Sequence, residues 1–326
     1  MTSPERITIL HISDFHFSGK KLRDQKMVVD ALLQDVKSQC VGNKTPDIIL
    51  FSGDLTNGPP VDEHAAAYDF LLAPLLKATN TTNERLFIVP GNHDVQQDTI
   101  IDYKAEHVEW QAKADDLDNI NGFFDKGKFQ PAHAAKFAKY LNLQAYISGS
   151  KAVFENLFCT VTYIEALNTN VVVLNSSMLS TGGHSDFGAD EGRMVIPEFA
   201  IEEALPYLTD GAFKIFTTHH PLAAFTETGG AYLGRILEKH ADLHLFGHMH
   251  DPKTKQVIGF EGKLLSNQAG AVFTHRKQWY NGYAIISIDF ETGFSRTCLR
   301  SYYAQRCQSA SKIPPLSASN FAPLVV

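Results

Sequence analysis

The sequence predicts an α/β protein with a largely parallel sheet, and three observations carry that expectation. Short apolar runs recur at Ile7–Ile12, Ile48–Phe51, Leu86–Val89, Val171–Leu174, Ile215–Phe216 and Leu243–Phe246, with the length and composition of buried strands. Amphipathic helical patterns lie between several of them. Several runs also stop abruptly in polar residues, as in "IVPGNHDV" (88–95), where turn chemistry accounts for the Pro-Gly and the Asn but does not ask for a histidine.

Taken in order, "KLRDQKMVVDALLQDVKSQ" (21–39) follows the first run and spaces Met27, Val28, Ala31, Leu32 and Val36 along one helical face. "DEHAAAYDFLLAPLLKAT" (62–79) follows the second and does the same, with Pro74 expected to kink or shorten it because proline lacks the helical N–H. From about 95 to 158 the chain turns helix-rich, polar and aromatic, which reads as a helical insertion or cap over the strand ends. After Asp251 the pattern is β-rich, in "KQVIGFEGKLLSNQAG" and "GYAIISIDFETGFSRTCLRSY". The Ser-, Ala- and Pro-rich stretch from Gln308 reads as a linker or docking arm, giving one domain over 1–307 and a tail over 308–326. That tail is the expected route to a homo-oligomer or a larger assembly.

The bulk composition excludes several classes. A formal net charge of −7 gives no global attraction to nucleic acid or to an anionic membrane, so any phosphate binding needs local positive charge, which a metal supplies. The four cysteines, Cys40, Cys159, Cys298 and Cys307, form no CxxC pair and read as reduced thiols, not a zinc framework. No run approaches the roughly 18 apolar residues of a membrane span, and "MTSPERITIL" holds no signal-peptide core. The expectation is a soluble, cytoplasmic protein.

The polar endings form a series. The runs end in Ser13-Asp14-Phe15-His16, Ser52-Gly53-Asp54, Gly91-Asn92-His93-Asp94, His219-His220-Pro221 and Gly247-His248-Met249-His250. In open α/β sheets the carboxyl ends of strands are where ligands bind, so their convergence is the signal. Side chains at i and i+2 of an extended segment point the same way, which would aim Asp14 with His16 and His248 with His250. Glycine before Asp54, Asn92 and His248 permits tight turns and close approach. Asp, Asn and His without cysteine suit Mn, Fe, Zn, Ni or Co. Eight ligand positions filled by seven residues imply two ions sharing one carboxylate, with Asp54 as the bridge. Two divalent ions roughly 4 Å apart activate a hydroxide and clamp phosphoryl oxygens.

The series D-x-H, G-D, G-N-H-D, H-x-P, G-H-x-H, complete and in order over residues 14–250, resembles that of the calcineurin-like metallophosphoesterases. The wording of "HISDFHF", "SGDLTNG" and "IVPGNHDV" is most similar to their class III cyclic-nucleotide phosphodiesterase branch, apart from Asn57 where that branch often has Asp. The resemblance implies a four-layer α/β/β/α sandwich of two mixed β-sheets with flanking helices. It implies Asp14, His16, Asp54 and His250 on the first metal and Asp54, Asn92, His219 and His248 on the second, with His93 protonating the leaving group. A phosphodiesterase of nucleotide-like or small diesters, working through a metal-bound hydroxide, is the expected activity. The alternatives are a DNA or RNA nuclease, disfavoured by the charge, a phosphomonoesterase, and a catalytically silent interaction scaffold.

Other residues divide between roles. His220 is a neighbour of a ligand or a substrate contact, while His11 and His244 read as satisfied core histidines. His275 and Arg276, in "GAVFTHRKQWYNGY", and Arg193, in "GADEGRM", are solvated loop residues or substrate contacts. The acidic "KADDLDN" (113–119) reads as a solvated helix end.

Overall fold

Strand β1 (Arg6–Ile12) sets the architecture, because from Ile7 onward it is buried on both faces. A strand with no face left for water must lie inside a sheet that is covered on both sides. The computed structural model describes residues 4–40, 45–58, 63–102, 104–125, 135–149, 151–182, 189–258, 262–274, 281–302 and 321–325. β1 pairs parallel with β2 (Ile48–Phe51), which pairs parallel with β3 (Leu86–Ile88). On its other side β1 meets β11 (Gly282–Asp289) antiparallel, followed by β12 (Ser295–Tyr302) and β13 (Phe321–Val325).

Among the described residues the second sheet has seven strands, in the order β4-β5-β6-β7-β8-β10-β9. They are β4 (Phe154–Glu155), β5 (Cys159–Ile164), β6 (Thr169–Leu174), β7 (Phe213–Thr217), β8 (Leu243–Phe246), β9 (Lys253–Ile258) and β10 (Lys263–Gln268). The pairs from β6 through β8 to β10 are parallel, whereas β4–β5, β5–β6 and β9–β10 are antiparallel. Both sheets are therefore mixed.

Three apolar clusters hold the layers together. Ile7, Ile9, Ile48 and Leu50 of the first sheet pack against Val171, Val173, Ile215 and Leu243 of the second. Behind the first sheet, Leu10, Ile12 and Phe51 meet Val28, Leu32 and Val36 of α1 (Leu22–Gln39). Behind the second, Val161 and Val172 share a cluster with Leu233 and Leu237 and with Trp110, Ile120 and Phe124 of the insertion. The result is the four-layer α/β/β/α sandwich expected from the resemblance.

Two helix expectations needed adjustment. On α1 the buried face is Gln25, Val28, Val29, Ala31, Leu32, Asp35 and Val36, while Met27 is 57% exposed and does not belong to it. Pro74 widens the second helix without ending it. α2 (Glu63–Ala67) passes through Tyr68–Leu72 into α3 (Ala73–Thr79), where the Ala73 N–H reaches back five residues to the Tyr68 carbonyl. Proline then falls in the first turn of α3, directly after that wide turn.

The insertion contributes α4 (Gln97–Asp102), α5 (Lys104–Lys113), α6 (Leu117–Asp125) and α7 (Ala138–Ser148). Its helices divide between the two outer clusters, with Trp110, Ile120 and Phe124 on one side and Tyr140, Leu143 and Ile147 on the other. Lys136, buried, donates from Nζ to the carbonyls of Met178 and Ser180 at 2.5 and 2.9 Å. That buried amine ties the insertion to the loop that follows β6, and burial lowers its pKa to about 7.

A buried ion pair fastens α1 to the first sheet. Arg300 Nε donates to Asp35 Oδ2 at 2.8 Å, its Nη2 to Oδ1, and the Tyr283 hydroxyl to Oδ2 at 2.5 Å. Removing one partner strands the other charge, so Asp35→Ala is expected to lower stability by about 3–5 kcal/mol, read as a fall in the urea midpoint. Asp35→Leu combined with Arg300→Met should recover part of that loss.

Cys40, Cys159 and Cys298 carry no disulfide. Cys307, His275 and Arg276 lie outside the described residues. Among the described residues no helix is long and apolar enough to cross a membrane.

Candidate metal centre

The five polar endings meet at one place, the carboxyl ends of β1, β2, β3, β7 and β8. The loop after β1 is strung along the loop after β2. The N–H groups of Asp14, Phe15, His16 and Phe17 donate to the carbonyls of Gly53, Asp54, Asp54 and Leu55, at 2.9, 2.9, 3.0 and 2.9 Å. These bonds hold an unusual backbone. Asp14, His16, Asp54, His248 and His250 all have left-handed φ, at 56°, 49°, 58°, 72° and 55°. The paired candidate ligands thus converge through left-handed turns and not, as the spacing suggested, through a strand pleat. Left-handed non-glycine residues cost about 1–3 kcal/mol each and persist where the surroundings over-determine them, typically at functional sites.

The glycines matter because the loops are pressed together. A Cβ on Gly91 would lie 2.1 Å from Asp54 Oδ1, and one on Gly247 2.1 Å from Ser13 Oγ and 2.7 Å from Asp14 Oδ2. Gly53 has φ 103°, and a Cβ there would come within 2.3 Å of His219 Nδ1. Glycine serves here to let one ligand loop touch the next.

Two groups of donor atoms share Asp54. On one side His16 Nε2 and His250 Nε2 stand 3.1 Å apart, with Asp14 Oδ1 3.0 Å from His250 and Asp54 Oδ2 3.7 Å from His16. On the other, His219 Nε2 lies 3.4 Å from Asp54 Oδ2 and 3.0 Å from Asn92 Oδ1, and His248 Nδ1 lies 3.1 Å from the same Asn92 oxygen. His219 Nδ1 donates to the Ser52 carbonyl at 2.7 Å, so in a neutral ring the Nε2 that faces Asp54 is a bare lone pair. Lone pairs from two carboxylates, an amide and several imidazoles, aimed at one another, are stable only around positive charge. The donor set fits divalent cations of the borderline first row.

The titration behaviour agrees. Burial holds His16 and His248 at about 4, which keeps them neutral with lone pairs available. Burial opposes charge on Asp54 too, yet His219, His93 and His16 hold its carboxyl well below the usual range. Burial likewise disfavours the His219 imidazolium, but Asp54 and Asp14 overcome it and push this ring up to about 9. Without a metal, a proton on His219 supplies the charge that the carboxylates demand.

The remaining candidates fall around this core. His93 donates its backbone N–H to Asp54 Oδ1 at 2.8 Å, and its ring meets that of His16 edge to face at 5.0 Å. Ring nitrogens of His93 and His16 and an Asp54 oxygen lie within 4.8 Å of one another, so distance alone does not separate a ligand from an acid at His93. His220 is fully buried beside His248, with ring centroids 4.6 Å apart. Arg193 is half-buried in the turn before Met194, where its N–H donates to the Asp190 and Ala224 carbonyls, each at 3.1 Å. His11 bridges the two sheets, from Asn267 Oδ1 at 2.8 Å to Ser52 Oγ at 2.9 Å, and His244 meets Thr218 Oγ1 at 3.0 Å, as satisfied core histidines should.

Several supporting residues carried no sequence signal beyond their motif or none at all. Asp94, buried, accepts the N–H groups of Thr56 and Gly91, each at 2.9 Å, and stands 3.4 Å from His64 Nε2 on α2. It fixes the turn that presents Asn92 and His93. After β6, Ser176 Oγ accepts the N–H groups of His219 and His220 at 3.2 and 3.1 Å, and Ser177 Oγ donates to the Pro90 carbonyl at 2.8 Å. These two serines join the ligand loops of β3 and β7.

Comparison with known proteins bears on the family. The family model described as "Calcineurin-like phosphoesterase" matches residues 7–252, a span that holds every ligand position above. An uncharacterized metallophosphoesterase, YkuE of Bacillus subtilis, is 22% identical over 293 residues, 90% of this chain and 74% of its own. An uncharacterized metallophosphoesterase-like protein of the same organism, YydB, is 23% identical over 297 residues, and there the match covers 87% of this chain but only 56% of the relative. Among solved structures, "GAP50 the anchor in the inner membrane complex of Plasmodium" aligns with a TM-score of 0.50 at 12% identity, covering 99% of this chain and 90% of that one, a likeness of fold alone. With the family model spanning most of the chain and the candidate ligand residues gathered at one sheet edge, the chain belongs to the calcineurin-like phosphoesterases, metal-dependent hydrolases of phosphoesters.

Proposed function

We propose that the chain is a binuclear metal-dependent phosphodiesterase acting on nucleotide-like or small phosphodiesters. The observation that supports this best is the sharing of Asp54 between two donor groups, Asp14/His16/His250 on one side and Asn92/His219/His248 on the other. The two divalent ions, when bound, supply the Lewis acidity that activates water and offsets charge on the phosphoryl group. The residues themselves set the geometry. Asp54 orients the His93 backbone through the 2.8 Å bond to its N–H. His93 is the proposed donor of a proton to the departing oxygen. His220, Arg193, His275 and Arg276 are the proposed substrate contacts.

The intact donor set argues against a catalytically silent scaffold, and the net charge of −7 against a nuclease. Diester preference rests on the wording of the first three motif blocks. With manganese added, bis-(p-nitrophenyl) phosphate is expected to be cleaved with higher kcat/KM than p-nitrophenyl phosphate. A clear preference for the monoester would overturn the diesterase reading and leave the phosphomonoesterase one.

A further inference from the structure

His220 poses a problem of hydrogen-bond arithmetic. Its ring is fully buried, its Nδ1 lies 3.0 Å from Ser176 Oγ, and its Nε2 has no partner among the described residues. Ser176 decides which nitrogen carries the proton. A hydroxyl has two acceptor positions and one proton. Both acceptor positions of Ser176 Oγ are taken by backbone N–H groups, of His219 at 3.2 Å and His220 at 3.1 Å. Its single proton is left to point at His220 Nδ1, which must therefore accept. A neutral His220 then carries its own proton on Nε2, as a buried donor with nothing to donate to among the described residues.

Such a donor costs roughly 1–3 kcal/mol if it stays unpaired, so its presence calls for a partner that arrives from outside the protein. The surroundings say what kind. Ring nitrogens of His219, His220 and His248 lie within 4.8 Å of one another. His219 and His248 turn their nitrogens to Asn92 Oδ1, at 3.0 and 3.1 Å, whereas His220 presents N–H. A protonated Nε2 offers no lone pair to a cation, so the third histidine of this cluster is not a third ligand. What it can meet is an oxygen acceptor held among the other two rings.

We propose that Ser176 locks His220 in the Nε2–H tautomer and that this N–H binds a phosphoryl oxygen of the substrate beside His219 and His248. The proposal rests on the phosphoesterase reading of the site and adds to it a specific donor and the residue that positions it. His220 contacts substrate, whereas Ser176 acts through His220.

The test uses inorganic phosphate as the probe and His220→Phe, His220→Gln and Ser176→Ala as the variants. In the metal-loaded full chain, calorimetric phosphate binding should weaken about ten- to a hundredfold in His220→Phe, the usual range for a hydrogen bond to a charged group. Two metal equivalents should remain bound. His220→Gln restores an amide N–H at similar reach and should recover most of the affinity. Ser176→Ala should give a smaller loss that is not additive with His220→Phe. Nitrogen-15 imidazole spectra of the metal-free protein at neutral pH give a readout that needs neither metal nor activity. They should show Nε2–H at His220 in the wild type and a tautomer mixture in Ser176→Ala, which decides the matter even where the phenylalanine variant fails to fold. An Nδ1–H tautomer in the wild type, unchanged phosphate affinity in His220→Phe, or loss of one metal equivalent in that variant would each overturn the proposal. A wild-type protein that takes up metal yet binds no phosphate would instead overturn the phosphoesterase reading beneath it.

Discussion

Asp54→Ala is expected to leave a protein that holds neither ion and hydrolyses phosphoesters no faster than the metal-free chain. The expectation follows from position. Its Oδ2 lies 3.7 Å from His16 Nε2 and 3.4 Å from His219 Nε2, so it is the carboxylate on which both donor groups close. Each group without it retains mostly neutral donors. Asp14 still serves the first, but the second is reduced to Asn92, His219 and His248, with no anion to offset the charge of a dication.

The same residue also accepts the His93 N–H through Oδ1, so alanine removes a structural bond together with a ligand. Asp54→Asn separates the two, since an amide oxygen can keep that bond without the charge. If charge is what matters, both variants lose metal. Asn92→Ala, by contrast, touches only the second group and should mainly weaken the second ion. Metal analysis of the purified variants decides between these outcomes, and two full equivalents retained in Asp54→Ala would end the bridging assignment.

What was legible in the sequence was the chemistry of strand ends. Apolar runs such as Ile7–Ile12 and Leu243–Phe246 announce buried strands, and Asp, Asn and His just beyond them announce a site, because both signals are local in the chain. The convergence does not come from a strand pleat. Left-handed φ at Asp14, His16, His248 and His250 goes with bonds made between loops, such as Asp14 N–H to the Gly53 carbonyl and His248 N–H to Asp14 Oδ2, which lie far apart in the chain. Ser176 and Ser177 were invisible for a related reason. Serine after a strand is ordinary turn chemistry, and their work is done on His219, His220 and Pro90, some 43 to 87 residues away. Lys136 is the same case in charge. A lysine is expected at the surface, and only the fold shows it buried against the Met178 and Ser180 carbonyls.

His93→Asn is expected to keep both ions while losing about 10²–10⁴-fold in rate on substrates whose leaving group needs a proton. Asn92 and His93 are adjacent in one tight turn, yet they face different neighbours. Asn92 Oδ1 faces His219 and His248, whereas His93 is tethered to Asp54 by its backbone and sets its ring against His16. The proposed role sets the His93 ring, packed against His16, at the leaving-group end of a substrate whose phosphoryl group is held at the two donor groups. General acid catalysis matters only for poor leaving groups, so alkyl or ribose-3′ esters should suffer the full loss. p-Nitrophenolate departs well unprotonated and should suffer far less. Because ring nitrogens of His93 and His16 and an Asp54 oxygen lie within 4.8 Å of one another, metal content must be measured alongside. Loss of an equivalent would make His93 a ligand. Equal loss on both substrate types, with both ions in place, would mean that His93 binds the phosphoryl group and does not protonate the departing oxygen.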